Sequence, residues 1–70
     1  MLAYRNMLGS MEWDQDEQIF YGRIRGIPAF VWYDGKTATE CEHAFQQAVD
    51  EWIRYPSTFQ SIRIRPFQAA

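Results

Sequence analysis

The sequence predicts an α+β fold: an antiparallel three-stranded meander, one helix packed on the sheet, then a fourth strand. Three observations carry that prediction. Residues Gln18 to Arg25 alternate strictly between two faces, turn signals bracket that run on both sides, and a single apolar stripe at helical spacing runs from Cys41 to Trp52.

Leu2 to Trp13 reads as the first strand, with Tyr4, Met7, Leu8, Met11 and Trp13 set among polar residues. Asp14-Gln15-Asp16-Glu17 is polar and acidic and reads as a hairpin turn. In the second strand, Phe20, Gly22, Ile24 and Gly26 point one way, and Ile19, Tyr21, Arg23 and Arg25 the other. Gly26-Ile27-Pro28 is a second turn signal, because Pro28 has no N–H to give to a ladder. Ala29 to Tyr33 forms the third strand, closed by Asp34-Gly35.

The helix is the clearest element. Thr37 and Glu40 have the spacing of a capping box, in which the Thr37 hydroxyl accepts from the Glu40 amide and the Glu40 carboxylate reaches back. Cys41, Ala44, Phe45, Ala48, Val49 and Trp52 then fall on one stripe. Glu42, His43, Gln46, Gln47, Asp50 and Glu51 occupy the opposite face. Arg54 suits the negative end of the helix dipole, and Pro56 stops the helix while pushing Tyr55 out of helical geometry. Thr58 to Arg65 alternates again as the fourth strand, with Ile62 and Ile64 on one side and Phe59, Ser61, Arg63 and Arg65 on the other.

Seventy residues make a single domain spanning 1–70, with no separate DNA-binding domain expected. A core this small rarely yields more than ~3–5 kcal/mol of net stability, and short chains commonly add a disulfide, a metal or a second subunit. Cys41 is the lone cysteine and His43 the lone histidine, so neither an intramolecular disulfide nor a Cys/His zinc site is expected. With 47% hydrophobic and 17% aromatic residues, the chain has more apolar surface than one helix covers, and a homodimer or higher homo-oligomer is expected. A net charge of −2 gives no overall advantage on nucleic acid and suits a basic protein partner. The N-terminus lacks the basic-then-apolar pattern of a signal peptide, and no apolar run approaches the roughly 20 residues that span a bilayer. With an unpaired cysteine as well, a cytoplasmic location away from membranes is expected.

The search for reactive groups yields no catalytic or metal-binding set, and no cofactor is expected. Asp14, Asp16 and Glu17 cluster in the hairpin tip, but their spacing is not that of a calcium loop, and a solvated turn is the simpler reading. His43 falls on the polar face of the helix, and Cys41 on the buried stripe, where a thiol behaves as a small hydrophobe. Two surface sets remain. Arg23, Arg25, Arg63 and Arg65 would gather four guanidiniums with Tyr21 and Phe59 if their strands are neighbours. Such a set can bind nucleic acid, pair with acids across an interface, or merely be solvated. Glu42, Gln46, Asp50 and Glu51 form an acidic helix face suited to a basic protein, with the tip at Asp14 to Glu17 as the alternative.

Tyr4 with Gly9-Ser10-Met11-Glu12, then Phe20-Tyr21-Gly22-Arg23-Ile24 with Gly26-Ile27, then Tyr33-Asp34-Gly35 with Thr37 and Glu40, then Ala44-Phe45 and Ala48-Val49-Asp50-Glu51-Trp52, follow a recognisable order. Over about Leu2 to Tyr55 the chain resembles the HicB family, the antitoxin half of bacterial HicA–HicB toxin–antitoxin pairs. The resemblance implies a partial RNase H-like fold, self-association, and binding to a small basic ribonuclease toxin. Many members continue into a helix-turn-helix or ribbon-helix-helix segment that binds DNA. Ser57 to Pro66 looks like the lead-in to that segment, and with the sequence ending at Ala70 such autoregulation is not expected. Asn6 also stands where the family commonly has glycine, in what reads as a strand. The expected function is therefore a non-enzymatic, antitoxin-like module that occludes a HicA-type toxin. The alternative is a stand-alone oligomeric RNA-associated or regulatory protein.

Overall fold

The computed structural model describes residues 1–54 and, for the backbone alone, 61–64. Six strands and one helix follow in the order β1 (Leu2–Tyr4), β2 (Met7–Gly9), β3 (Glu12–Asp14), β4 (Ile19–Arg25), β5 (Phe30–Gly35), α1 (Ala38–Arg54) and β6 (Ser61–Ile64). The fold is α+β, among the described residues a single sheet with one helix on it, as the sequence predicts. The sheet runs β1-β2-β4-β5-β6, with β3 also on β4; every pairing is antiparallel except β6, which lies parallel to β5. Among the fourth-strand residues, Thr58 to Gln60 and Arg65 lie outside the described residues, as do Tyr55 and Pro56 at the helix stop.

The largest departure from the sequence reading lies in the first strand. Leu2 to Trp13 is divided into three pieces. Tyr4 faces Met7 across a two-residue turn in which both Arg5 and Asn6 have positive φ, 52° and 65°. That is the turn geometry whose twist matches an antiparallel hairpin, and it favours asparagine or glycine. Asn6 is thus a turn residue, not a strand residue, and the role common to asparagine and glycine there is the left-handed backbone.

The second break, between β2 and β3, is of another kind. The register on β4 continues through it, from Gly9 opposite Ile24 to Glu12 opposite Tyr21. At Ser10 the ladder changes hands. The Ser10 N–H donates to the Arg23 carbonyl (3.1 Å), but the Arg23 N–H donates to the Ser10 hydroxyl (3.1 Å). The Ser10 carbonyl is left to accept from the buried Tyr33 hydroxyl at 2.6 Å. A buried phenol needs such a partner. Gly22 makes room: a Cβ there would overlap the Ser10 carbonyl oxygen.

The acidic tip is a turn held by its own first residue. Asp14 Oδ1 accepts from the N–H groups of Asp16 (2.9 Å) and Glu17 (3.1 Å), and the Gln18 N–H returns to the Asp14 carbonyl. Asp side chains favour turns for this reason. The helix start follows the capping pattern with one shift. The Glu40 N–H donates to Thr37 Oγ1 (3.1 Å), while the Glu40 carboxylate accepts from the Lys36 N–H (3.0 Å), one residue before the expected one.

One face of α1 meets one face of the sheet. Cys41, Ala44, Phe45, Ala48 and Val49 are buried against Ile24, Val31 and Tyr33, and the rings of Tyr33 and Phe45 lie 5.4 Å apart. Trp52, the end of the predicted stripe, is only partly buried and packs at the rim of this core. The strand alternation decides the rest. Val31 and Tyr33 face the helix, and Phe30 and Trp32 face away from it.

Candidate functional site

Two surfaces combine regular backbone geometry with charge, one on the helix and one on the sheet. The first is the polar side of α1. Glu42, Gln46 and Asp50 succeed one another at four-residue steps, so they line one flank of the helix, with Glu51 beside Asp50. Glu42 is exposed and Gln46, Asp50 and Glu51 are half-buried. Asp50 is engaged within the molecule. Its Oδ1 lies 2.9 Å from Arg5 Nη1, and its Oδ2 accepts from the Tyr4 hydroxyl at 3.4 Å. The hydrogen bond to Asp50 raises the Arg5 pKa. An exposed pair of this kind adds little stability; its effect is to fasten the β1–β2 turn to the helix. The acidic groups offered to a partner are therefore Glu42 and Glu51, on opposite edges of the polar side, more than Asp50.

The second surface is the side of the sheet away from α1. Arg23 and Arg25 share this face of β4, as the alternation predicts. Arg23 is in register with Trp32, and Trp32 in register with Arg63 on β6, so the expected neighbourhood of those strands is met at the backbone. Arg65 and Phe59 lie outside the described residues. The aromatic companions differ from the expected Tyr21 and Phe59. The Arg23 guanidinium carbon sits 5.7 Å from the Phe30 ring centroid and 5.9 Å from that of Trp32. Phe30 is 54% exposed and Leu8, in register with Arg25, is 49% exposed. Sequence reasoning missed Phe30 and Trp32: the parity of the third strand puts the two rings on one face, but which of them meets Arg23 depends on the pairing register.

The titratable groups in the core lack a chemical role of this kind. Burial, with a smaller contribution from Asp34, pushes the Cys41 thiol up to about 11. Burial also raises the Tyr33 phenol. Cys41 is a neutral thiol at neutral pH, as expected of a buried cysteine. The linkage gives a testable sign. A folded pKa raised above the unfolded value of 9.0 contributes stability that is whole below pH 9 and is lost as pH rises towards 11. The urea midpoint should fall over that interval. In Cys41→Ala the fall should be shallower and start nearer pH 10, where Tyr33 takes over. Equal slopes in both proteins would mean that Cys41 is not the group responsible.

Among the described residues, no three His, Cys, Asp or Glu side chains are grouped so as to hold a metal ion. No described helix is long and apolar enough to cross a membrane. Searches of curated proteins and of solved structures give no significant match. The family comparison is positive. The UPF0150-like model matches residues 10–56, from the Ser10 crossover through the meander and α1. That is well over half of the sequence, and the chain belongs to the UPF0150-like family.

Proposed function

We propose that the protein is an antitoxin-like binding module that covers a small basic ribonuclease toxin of the HicA type. The observation that carries this reading is the polar side of α1 in a chain of this family: Glu42, exposed, on one edge of it and Glu51, half-buried, on the other, with Gln46 and Asp50 between them. The sequence resemblance to HicB antitoxins runs through the same strands and helix. Inhibition would be by occlusion, the polar side of α1 lying over the toxin's RNA-binding face without any reaction on this chain.

Charges at the rim of an interface mainly set the association rate and its salt dependence. Glu42→Lys/Glu51→Lys should fold normally and associate several-fold more slowly with a HicA-type toxin at low salt. The difference should shrink as salt shortens the screening length. Asp50 is left intact, because a lysine there would also break the contact with Arg5. Unchanged association kinetics would remove this side of the helix as the docking face. Failure to co-purify with a basic toxin encoded next to it would remove the function.

A further inference from the structure

The face of the sheet away from α1, open among the described residues, has a chemistry that the proposed toxin binding leaves unused. Between Arg23 and Tyr33 the sequence contains two arginines and no carboxylate, although the chain as a whole is acidic. Glu12, Asp14, Asp16 and Glu17 lie at the other end of β4, around the β3–β4 turn. The face is therefore polarised, with its cationic half around the β4–β5 turn. That half is also the aromatic half, where Phe30 and Trp32 flank Arg23. Beside them, the turn rises to enclose a cleft of about 280 Å³, lined in part by Arg23, Arg25, Ile27, Pro28 and Phe30. Among the described residues, neither arginine is in an ion pair.

A sheet face bearing one exposed and one half-buried ring among arginines matches a ligand that is at once polyanionic and planar. We infer that this half of the open face binds single-stranded nucleic acid, with a base stacked on Phe30 and the backbone phosphates drawn to Arg23 and Arg25. The cleft is close to the lower size of small-ligand pockets, roughly 300 Å³, which suits one nucleotide unit. Ring faces stack on bases that are unpaired, and a duplex keeps its bases stacked inside. Arg23 arrives with its charge already positioned by two rings. This site lies on the sheet, on the side opposite α1, so it stands or falls separately from the toxin-binding proposal.

The test is fluorescence anisotropy of the full chain with a labelled single strand of about 12 nucleotides, within the footprint of a small binding domain. RNA and DNA of one sequence are compared with the corresponding duplex, starting at roughly 50 mM salt. Saturable binding of the single strands is expected, with the duplex at least tenfold weaker. Two neutralised phosphates give a log–log salt slope of about −1.4, and Arg25→Ala should bring it up by about 0.7. Phe30→Ala should weaken binding about fivefold or more, the loss of one stacked base. Both side chains are exposed, so the variants should keep the wild-type circular dichroism. Preference for RNA, for DNA or for neither supports the inference and identifies the source of the strand. No binding at low salt, equal binding of duplex, or binding indifferent to both variants would overturn it. So would a self-associated wild type that Phe30→Ala turns into monomers without affecting nucleic-acid binding, since the face would then belong to a second copy.

Discussion

Phe45→Ala should lower the unfolding free energy by roughly 3–5 kcal/mol, the usual cost of truncating a buried aromatic. Phe45 is fully buried, its ring tilted against that of Tyr33, and lies at the middle of the α1 stripe that closes the core. The cost equals about the whole net stability, ~3–5 kcal/mol, that a single core of this size supplies. The variant should be largely unfolded at 25 °C, with its near-ultraviolet dichroism lost and no cooperative urea transition. Trp52→Ala is the comparison: its ring is only partly buried, so that variant should stay folded with a lowered midpoint. A Phe45→Ala protein with a transition within 1 kcal/mol of wild type would mean that α1 does not close the core.

Gly22→Ala should be nearly as damaging, by a different route. The added methyl would overlap a backbone carbonyl, that of Ser10, which is itself held by the Tyr33 hydroxyl at 2.6 Å. Flexible side chains can yield to such a contact; a carbonyl in a paired strand yields only if the strand moves. Overpacking typically costs ~1–3 kcal/mol, and this site should reach or exceed the top of that range because the Tyr33 bond goes with it. Gly26 separates this effect from ordinary backbone strain. Its φ is +78°, with open space where a Cβ would sit, so Gly26→Ala should cost only the left-handed penalty of ~1–2 kcal/mol. Chemical denaturation of both variants checks the order. Equal losses at the two glycines would mean that the Ser10 crossover is not rigid.

The elements that could be read from the sequence are those whose pattern is local. The helix stripe, the alternation of Gln18 to Arg25 and the two turns each repeat a short period, and each is found where expected. The first thirteen residues misled because their turn is made by Arg5 and Asn6 with positive φ and lacks a glycine or proline to announce it. The break at Ser10 is made by Tyr33, a residue 23 positions later. Asp50 could be placed on the polar face of the helix, but its capture by Arg5, 45 positions earlier, could not. The arginine set was found because it follows a strand alternation. Its aromatic flank was not, since which ring of β5 faces Arg23 depends on the pairing register.

The parallel placement of β6 also bears on how the chain is made. β5 is Phe30-Val31-Trp32-Tyr33-Asp34-Gly35, a short run of aromatic and β-branched residues with its sole charge near the end. Such a segment with an unpaired edge is a template for intermolecular strand addition. One edge of β5 is taken by β4, a few residues upstream, but the other is taken by Ser61–Ile64, after the whole of α1. During synthesis the meander and helix emerge first, and the bare edge of β5 waits for β6. β6 is thus an internal guard against aggregation as well as a fold element: by occupying the edge next to Phe30 to Tyr33, it withdraws that edge from every other copy.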